Sequence, residues 1–279
     1  MKRLSTIECK NKIFTILMDF AEFCDRNNLK YCLAYGTLLG AIRHRDFIPW
    51  DDDVDVYMPR PDYEAFKILF DKKYHGTKYQ LRSRLDNKVD LPFEKILDMT
   101  TSVHSEMNEV DSHLWIDIFP LDGLSSSRES AVKVQNKAGK LLKYYGYASA
   151  KIGSGTTRIK AFFKIPVILP FHIIGANYFT NKLKKMSCSY SYEESKYIGN
   201  IAWGAGKKDI FLKSDFDDLI EVDFHGAKMH AMKDWDKYLK QIYGDYMELP
   251  PENGRIGHCF EAYDLKVGDK ADENCMCDR

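Results

Sequence analysis

The chain has 279 residues, and 44% of them are hydrophobic, which is enough for one large domain with a substantial core that needs no disulfide. Its 41 Lys and Arg residues balance 41 Asp and Glu residues. A net charge of zero provides no global positive field, so the composition argues against a nucleic-acid partner.

The first predicted element is a helix over residues 5–27. The sequence Ser5-Thr6-Ile7-Glu8 is a capping box, which is typical of a helix N-terminus. An apolar stripe at helical spacing predicts that this helix packs on a sheet. Residues 1–12 lack the apolar run of a secretory signal, so we expect a cytoplasmic protein.

A candidate phosphate-binding turn follows. The apolar residues 31–35 predict a buried strand, and residues 38–44 predict a short helix. Gly36 and Thr37 lie between them. A strand, a glycine turn and a helix N-terminus present backbone N–H groups to an anion, and a threonine hydroxyl adds a further donor.

The next feature is a cluster of carboxylates formed by Asp51, Asp52, Asp53 and Asp55. Like charges repel, so we expect a fold that keeps them together to do so around a cation. If residues 53–56 form a strand, Asp53 and Asp55 share one face while the two valines face the core. Asp51 joins the acidic face if the extended run begins early, and Asp52 points away.

Two other interpretations of this cluster fit the sequence less well than a metal site does. A solvated acidic turn would not need the valines that alternate with the aspartates. An EF-hand calcium loop would need Gly where Val56 stands and Glu where Asp62 stands. The cluster therefore favours metal-assisted chemistry on phosphates.

The turn and the Asp-x-Asp strand together resemble nucleotidyltransferase-fold enzymes, in which the turn holds phosphate and the carboxylates hold magnesium. Residues 35–60 closely resemble the signature of the LicD family, bacterial phosphotransferases related to fukutin-related protein. Residues 115–123, 238–246 and 250–251 also resemble this family. The resemblance runs from about residue 5 to about residue 260, and Mg²⁺ is the cofactor that it implies, with Mn²⁺ as the alternative.

Two positions depart from the family pattern. Asp46 and Tyr57 stand where glycine is frequent in the family. These departures leave the expected metal site intact, but they affect the expected shape of the loops and hence the choice of substrate.

The resemblance implies an α/β (α+β) fold with a nucleotidyltransferase-like mixed sheet core. We expect residues 1–126 to form the catalytic core and residues 127–200 to form a mainly helical insertion. Residues 201–279 are expected to complete the catalytic domain.

Beyond the aspartates, residues 59–73 predict a helix and residues 79–84 a strand. Residues 93–99 predict a second strand, which leads through Thr100-Thr101 to another. Lys95 lies on the strand at 93–99. In the family a lysine here resembles a phosphate contact, and a solvated lysine at a sheet edge is the alternative.

Residues 113–119 predict a buried strand with a single carboxylate, Asp117. A buried Asp must be paired or must bind a metal. In the nucleotidyltransferase fold the third acidic residue sits on such a strand, so Asp117 is predicted as the third metal ligand and as a general base. A structural Asp bonded to backbone is the alternative.

Residues 129–145 predict a helix, and residues 159–174 are the most hydrophobic stretch of the chain. This stretch is too short to span a bilayer and contains two lysines and two prolines. The basic residues in and around it are Arg158, Lys160, Lys164, Lys182, Lys184 and Lys185. An element that contacts the membrane interface fits this pattern, and a pair of core helices is the alternative.

The C-terminal part predicts a hairpin at 219–229 and a helix at 234–243 that Gly244 ends. Arg255 and His258 follow in a polar loop. In similar proteins this loop returns to the catalytic face, so His258 is a candidate substrate contact.

The cysteines predict a reducing compartment, because the seven residues are odd in number and scattered. Cys275 and Cys277 could join a zinc site, but no second pair is suitably spaced. A frayed tail is the alternative.

The resemblance implies transfer of a substituted phosphate, such as phosphocholine, from a CDP-activated donor to a hydroxyl of a cell-surface glycan or its lipid-linked precursor. CMP would be released. Asp53 and Asp55, with Asp51 beside them, would hold the metal, and Asp117 would complete the site. The contacts expected for the substrate come from Gly36, Thr37, Arg43, His44, Trp50, Lys95 and His258.

Other functions stay open at this stage. A nucleotidyltransferase that moves NMP from an NTP to a small molecule uses the same residues, and a metal-binding or glycan-binding module without catalysis is a further candidate. Choline, ethanolamine, glycerol and ribitol all remain as head groups of the donor. If the hydrophobic stretch contacts the inner face of the cell membrane, the acceptor is expected to be lipid-linked.

Overall fold

The computed structural model describes residues 1–84, 91–104, 113–150, 158–255, 257 and 260–265. His258, Cys275 and Cys277 lie outside the described residues. The helices are α1 Thr6–Arg26, α2 Tyr35–His44, α3 Arg60–Tyr74, α4 Arg128–Ser149, α5 Arg158–Ile174, α6 Ala176–Ser187, α7 Ser214–Asp217 and α8 Trp235–Tyr243. The strands are β1 Lys2–Arg3, β2 Cys32–Leu33, β3 Asp55–Pro59, β4 Tyr79–Leu81, β5 Glu94–Asp98, β6 Thr101–His104, β7 Leu114–Ser125, β8 Tyr197–Gly199, β9 Phe211–Leu212, β10 Leu219–Phe224, β11 Ala227–Met232 and β12 Glu261–Asp264.

The central sheet is mixed, as expected for the predicted fold class. Its strand order is β2-β3-β7-β5-β4, and β8 and β9 extend it from β7. β3 and β7 run parallel, whereas the other strand pairs of this sheet are antiparallel. A smaller sheet joins β1, β12 and β6, so residues from both ends of the described chain close it. The α/β prediction is therefore confirmed.

The first helix forms as predicted. Ser5 Oγ accepts a hydrogen bond from Glu8 N at 3.3 Å, and the Glu8 carboxylate accepts one from Ser5 N at 2.8 Å. This reciprocal capping box satisfies two backbone donors at the helix start. Leu17 and Phe20 on its inner face are fully buried, and the helix packs against β7.

Two predictions about the start of the sheet are wrong in detail. The third strand begins at Asp55, so Asp53 lies in the preceding loop and not on the strand. The second helix begins at Tyr35, so Gly36 and Thr37 lie in its first turn and not in a turn before it. A tertiary contact accompanies the early start of this helix, since Tyr35 N donates to the hydroxyl of Tyr238 on α8 at 3.0 Å.

The fourth strand is also shorter than predicted. It ends at Leu81, and residues 82–84 form a 3₁₀ turn. β4 pairs with β5 only over the three residues from Tyr79 to Leu81. A strand without a partner has no ladder hydrogen bonds to extend it.

Helices α4, α5 and α6 follow one another between β7 and β8. α4 packs against both α5 and α6, and α5 contains Pro166 and Pro170. Across the part of the chain that the structure describes, no helix is both long and apolar enough to cross a membrane. The domain boundaries at residues 126 and 200 stay a prediction.

The C-terminal elements agree with the sequence analysis. β10 and β11 form the predicted hairpin, which extends to Met232 and not only to Met229. Tyr238, Leu239 and Ile242 are the buried face of α8. Gly244 ends this helix with a φ of +78°, a conformation that glycine adopts without strain.

Candidate active site

A cavity of about 430 Å³ opens beside the parallel strands β3 and β7. Four carboxylates line it, those of Asp51, Asp53, Asp55 and Asp117. Four aromatic residues line it as well, namely Tyr35, Phe119, Trp203 and Tyr243. Gly36, Gly204 and Ala205 supply the rest of its surface. The cavity therefore combines a concentrated negative charge with aromatic side chains, of which Trp203 and Tyr243 are exposed.

The sheet brings three of these carboxylates together. Asp55 and Asp117 are paired positions on adjacent parallel strands, so their side chains point to the same face. Asp53 reaches the same point from the loop before β3. One oxygen from each of the three lies within 4.8 Å of the others.

The electrostatics of this cluster favour a cation. Burial, followed by the negative charges of Asp53, Asp117 and Asp51, raises the pKa of Asp55 well above its ordinary value. The ammonium of Lys95 opposes that shift. Like charges held this close are stabilised when a positive charge lies between them.

Asp51 and Asp52 separate as the sequence analysis expects. Asp51 lines the cavity, whereas Asp52 does not. Asp51 can approach the start of α2 because Gly36 has no side chain there. A Cβ at that position would lie 2.7 Å from Asp51 Oδ2. Asp51 is not one of the three clustered carboxylates, so its role as a ligand stays a prediction.

Thr37 fixes the start of β3 and does not line the cavity. It is 4% exposed, and its Oγ1 accepts a hydrogen bond from Asp55 N at 2.8 Å. Ala34 N donates to Asp55 O at 2.9 Å, so the backbone of Asp55 is fixed on both sides. Lys10 donates to Ile48 O and Pro49 O at 3.1 Å and so anchors the loop before the aspartates.

Lys95 and Asp117 form a buried ion pair. Lys95 Nζ lies 3.1 Å from Asp117 Oδ1, and only 6% of Lys95 is exposed. The indole of Trp115 donates to Asp117 Oδ2 at 3.3 Å and lies 4.4 Å from the Lys95 ammonium. The interpretation of Lys95 as a solvated edge residue is therefore wrong. Its side chain is held beside the cluster by the facing carboxylate and the indole ring.

Arg43, His44 and Trp50, predicted as substrate contacts, lie outside the cavity lining, as Thr37 and Lys95 do. Arg43 donates to Tyr246 O at 2.7 Å and to His44 Nε2 at 3.0 Å. Burial and the neighbouring arginine lower the pKa of His44, which fits a neutral ring that accepts this bond. Trp50 lies under the guanidinium of Arg255 at 5.2 Å. Their contacts with substrate, and that of His258, stay predictions.

Sequence reasoning missed the aromatic half of the cavity and the residue that organises it. Asp209 is fully buried and accepts hydrogen bonds from the hydroxyls of Tyr35 and Tyr57, each at 2.9 Å, and from Ala205 N. Burial raises the pKa of Asp209 to about 6, against the effect of these bonds. Tyr35 and Tyr57 lie more than 150 positions from Asp209 in the sequence, and no local periodicity marks Asp209.

The carboxylates fit a divalent metal. Magnesium binds carboxylate oxygens at about 2.1 Å, so its ligand oxygens lie about 3 to 4 Å apart. The three oxygens, which lie within 4.8 Å of one another, are close to that spacing. An all-oxygen donor set is the one that Mg²⁺ and Mn²⁺ prefer.

A mixed sheet with acidic residues at paired positions of two parallel strands, next to a glycine at a helix start, places the protein in the nucleotidyltransferase class of folds. Residues 28–144 match the family described as LicD/FKTN/FKRP, nucleotidyltransferase domain. The chain is 30% identical over 271 residues to the lipopolysaccharide cholinephosphotransferase LicD of Haemophilus influenzae, covering 95% of this chain and 100% of that protein. The chain therefore belongs to the LicD family, and the resemblance in its sequence is confirmed.

A second relative matches a shorter stretch. It is an uncharacterised protein of Rickettsia typhi, 42% identical over 111 residues. The match covers 39% of this chain and 34% of that protein.

Proposed function

We propose that this chain is a transferase that moves phosphocholine from a CDP-activated donor to a hydroxyl of a cell-surface glycan or its lipid-linked precursor. The observation that carries the proposal is the cluster of Asp53, Asp55 and Asp117 in the cavity of a LicD-family chain. The Haemophilus relative, which is named a lipopolysaccharide cholinephosphotransferase, supports the choice of phosphocholine.

Asp53, Asp55 and Asp117 would hold Mg²⁺ or Mn²⁺, which when bound supplies positive charge against the diphosphate of the donor. Lys95 adds a fixed positive charge beside the cluster and orients Asp117. The positive charge of Lys95 comes from beside the cavity, because none of the described residues that line the cavity is a lysine or an arginine.

The proposed transfer is a single displacement at the phosphorus that carries choline. The acceptor hydroxyl oxygen forms a bond to the phosphorus that carries choline, and the bond from that phosphorus to the bridging oxygen breaks. The bridging oxygen leaves with CMP. Asp117 is proposed to take the proton of the acceptor hydroxyl, since its carboxylate pairs with Lys95 and lines the cavity.

Other residues are proposed to position the donor. Gly36 offers backbone at the start of α2 to phosphate, and Thr37 keeps Asp55 in place through its hydroxyl. Arg43, His44 and Trp50 are proposed to shape the outer part of the donor site, together with His258.

We also propose that α5 and α6 contact the inner face of the cell membrane. α5 turns Ile168 and Phe171 towards the protein, yet leaves several large apolar residues exposed. The large apolar residues that are exposed on the described part of α5 and α6 include Val167, Leu169, Ile173, Ile174 and Tyr178. Residues 151–192 contain basic residues and no Asp or Glu, which suits an anionic lipid surface. A lipid-linked acceptor follows from such a contact.

The test is incubation of the purified protein with Mg²⁺, a glycan acceptor and a panel of CDP-choline, CDP-ethanolamine, CDP-glycerol and CDP-ribitol. We expect CMP release from the CDP-alcohols and no consumption of ATP or CTP. Consumption of an NTP with release of diphosphate would instead identify a nucleotidyltransferase. Metal binding without turnover of any donor would identify a binding module.

A further inference from the structure

The aromatic half of the cavity has no part in the chemistry described above. Trp203 and Tyr243 are 43% and 42% exposed. Both face the cavity that holds the carboxylates. Rings that stay open to a cavity are available to a ligand.

Trp203, Phe119 and Tyr35 belong to a series of rings, connected through Phe93, whose planes are inclined to one another. Tyr35 meets Phe119 at 5.6 Å and 86°, and Phe119 meets Phe93 at 4.6 Å and 47°. Phe93 meets Trp203 at 5.5 Å and 58°. A flat nucleobase is best held between parallel faces, and none of these pairs is stacked. Inclined rings suit a compact, rounded group that contacts several ring faces.

The charge of the cavity selects for a cation. Four carboxylates line it, and its described lining includes no Lys, Arg or His. A cavity of this kind attracts a positively charged ligand. A quaternary ammonium group has no N–H to donate, so it is recognised by aromatic faces and by surrounding negative charge.

The segment that carries Trp203 is held in place before any ligand arrives. Trp203 N donates to Asn200 Oδ1 at 2.9 Å, and Asn200 Nδ2 donates to the Tyr35 hydroxyl at 3.1 Å. Asp209 binds the same hydroxyl and Ala205 N. Gly204 must lack a side chain, because a Cβ there would collide with Asn200 O and Asp209 Oδ2. The wall is therefore preorganised.

We propose that Trp203 and Tyr243, which line the cavity together with the buried Phe119, form the subsite that binds the quaternary ammonium head group of the donor. This proposal rests on the proposed function and deepens it. The negative charge of the subsite selects choline and ethanolamine over the neutral glycerol and ribitol. The aromatic faces then select the methylated ammonium over the primary one.

The test compares the binding of phosphocholine, phosphoethanolamine and glycerol 3-phosphate to the wild type in Mg²⁺ by calorimetry. Turnover of the CDP-alcohols is measured separately. We expect phosphocholine to bind tightest. Trp203→Leu should weaken phosphocholine binding by about tenfold, the effect of a desolvated cation–π contact, and leave glycerol 3-phosphate unchanged. Trp203→Phe should lose less, because it keeps a ring. Tyr190→Leu, at a 42% exposed position outside the cavity lining, is the matched control and should change nothing.

Tyr243→Leu tests the same subsite from another element, so that misfolding of one variant leaves the proposal falsifiable. Equal binding of the three phosphates by the wild type would overturn the subsite, even if CMP is released from CDP-alcohols. Equal losses for all three phosphates in both leucine variants would also overturn it. If the wild type binds phosphocholine selectively but releases no CMP, the proposed reaction is refuted and the subsite is supported.

Discussion

Lys95 on β5 and Asp117 on β7 occupy directly paired positions, and the ammonium Nζ lies 3.1 Å from the carboxylate Oδ1. The pair lies at the edge of a cluster with two further carboxylates. Lys95 therefore compensates part of a negative charge that the fold concentrates, while Asp117 keeps the lysine from being a buried isolated charge.

The first prediction concerns the removal of this positive charge. Lys95→Met should lower kcat by about 10²-fold or more, in the range found when one electrostatic contact to the reacting group is lost. It should also lower the free energy of unfolding by about 3 kcal/mol in EDTA, because a buried carboxylate loses its partner. The loss should be smaller in Mg²⁺, since a bound cation compensates the same charge.

Thermal unfolding with and without Mg²⁺, together with CMP release, checks this prediction. Lys95→Arg is the control that keeps the charge, and it should retain more stability than the methionine variant. A methionine variant with the stability and the rate of the wild type would show that Lys95 contributes neither charge compensation nor catalysis.

The second prediction concerns the metal. Asp55→Asn should abolish both turnover and Mg²⁺ affinity, because it removes one of three clustered carboxylates. In EDTA the variant should be as stable as the wild type or slightly more stable, since the repulsion that raises the pKa of Asp55 is relieved. Asp52→Asn is the matched control, because Asp52 belongs to the same acidic stretch of the sequence but does not line the cavity.

Mg²⁺ or Mn²⁺ titration by calorimetry, with turnover measured in parallel, gives the result. We expect the Asp52 variant to bind metal and turn over as the wild type does. Wild-type turnover that persists in EDTA would refute the metal requirement.

The sequence allowed the cluster to be found but not the reason why it assembles. Period-2 alternation correctly indicated that Asp55 lies on a strand, and the apolar run at 113–119 did the same for Asp117. The same alternation placed Asp53 on the strand, where it is not. The three carboxylates meet because β3 and β7 are parallel neighbours in one register, and strand pairing is a long-range property that no local pattern contains.

The aromatic wall could not be predicted for a related reason. Trp203 lies in a short irregular segment without periodicity, and its position depends on Asn200 and Asp209. Those two residues bind Tyr35, which is 165 and 174 positions away. The sequence likewise left two environments open for Lys95, since its burial depends on Asp117 across the sheet.

The third prediction uses the raised pKa of Asp209. Its folded-state pKa of about 6 exceeds the value of about 3.9 expected in the unfolded chain. The protonated carboxyl therefore contributes stability that is complete below pH about 4 and is lost as the pH rises through about 6. The change amounts to about 2 to 3 kcal/mol.

Asp209→Asn has no such titration, and its amide can still accept from Ala205 N and donate to the Tyr57 oxygen. From pH 4 to pH 7 the wild type should therefore lose about 2 to 3 kcal/mol of unfolding free energy relative to this variant. Urea unfolding at several pH values measures the difference. Asp25→Asn, an exposed position on α1, should run parallel to the wild type. Parallel curves for the Asp209 variant would contradict the prediction.

The last prediction concerns the exposed apolar surface of α5. Ile173 and Ile174 are 79% and 50% exposed, and α5 and α6 carry no acidic residue. The protein should bind anionic liposomes, and salt should weaken binding, because each nearby Lys or Arg contributes about 1 kcal/mol at such a surface.

The double variant Ile173→Ser, Ile174→Ser should reduce liposome binding and activity on a lipid-linked acceptor. It should spare activity on a water-soluble acceptor. Ile68→Ser, at a 71% exposed position on α3, is the matched control and should bind as the wild type does. Absence of liposome binding by the wild type would assign this surface another role and favour a soluble acceptor.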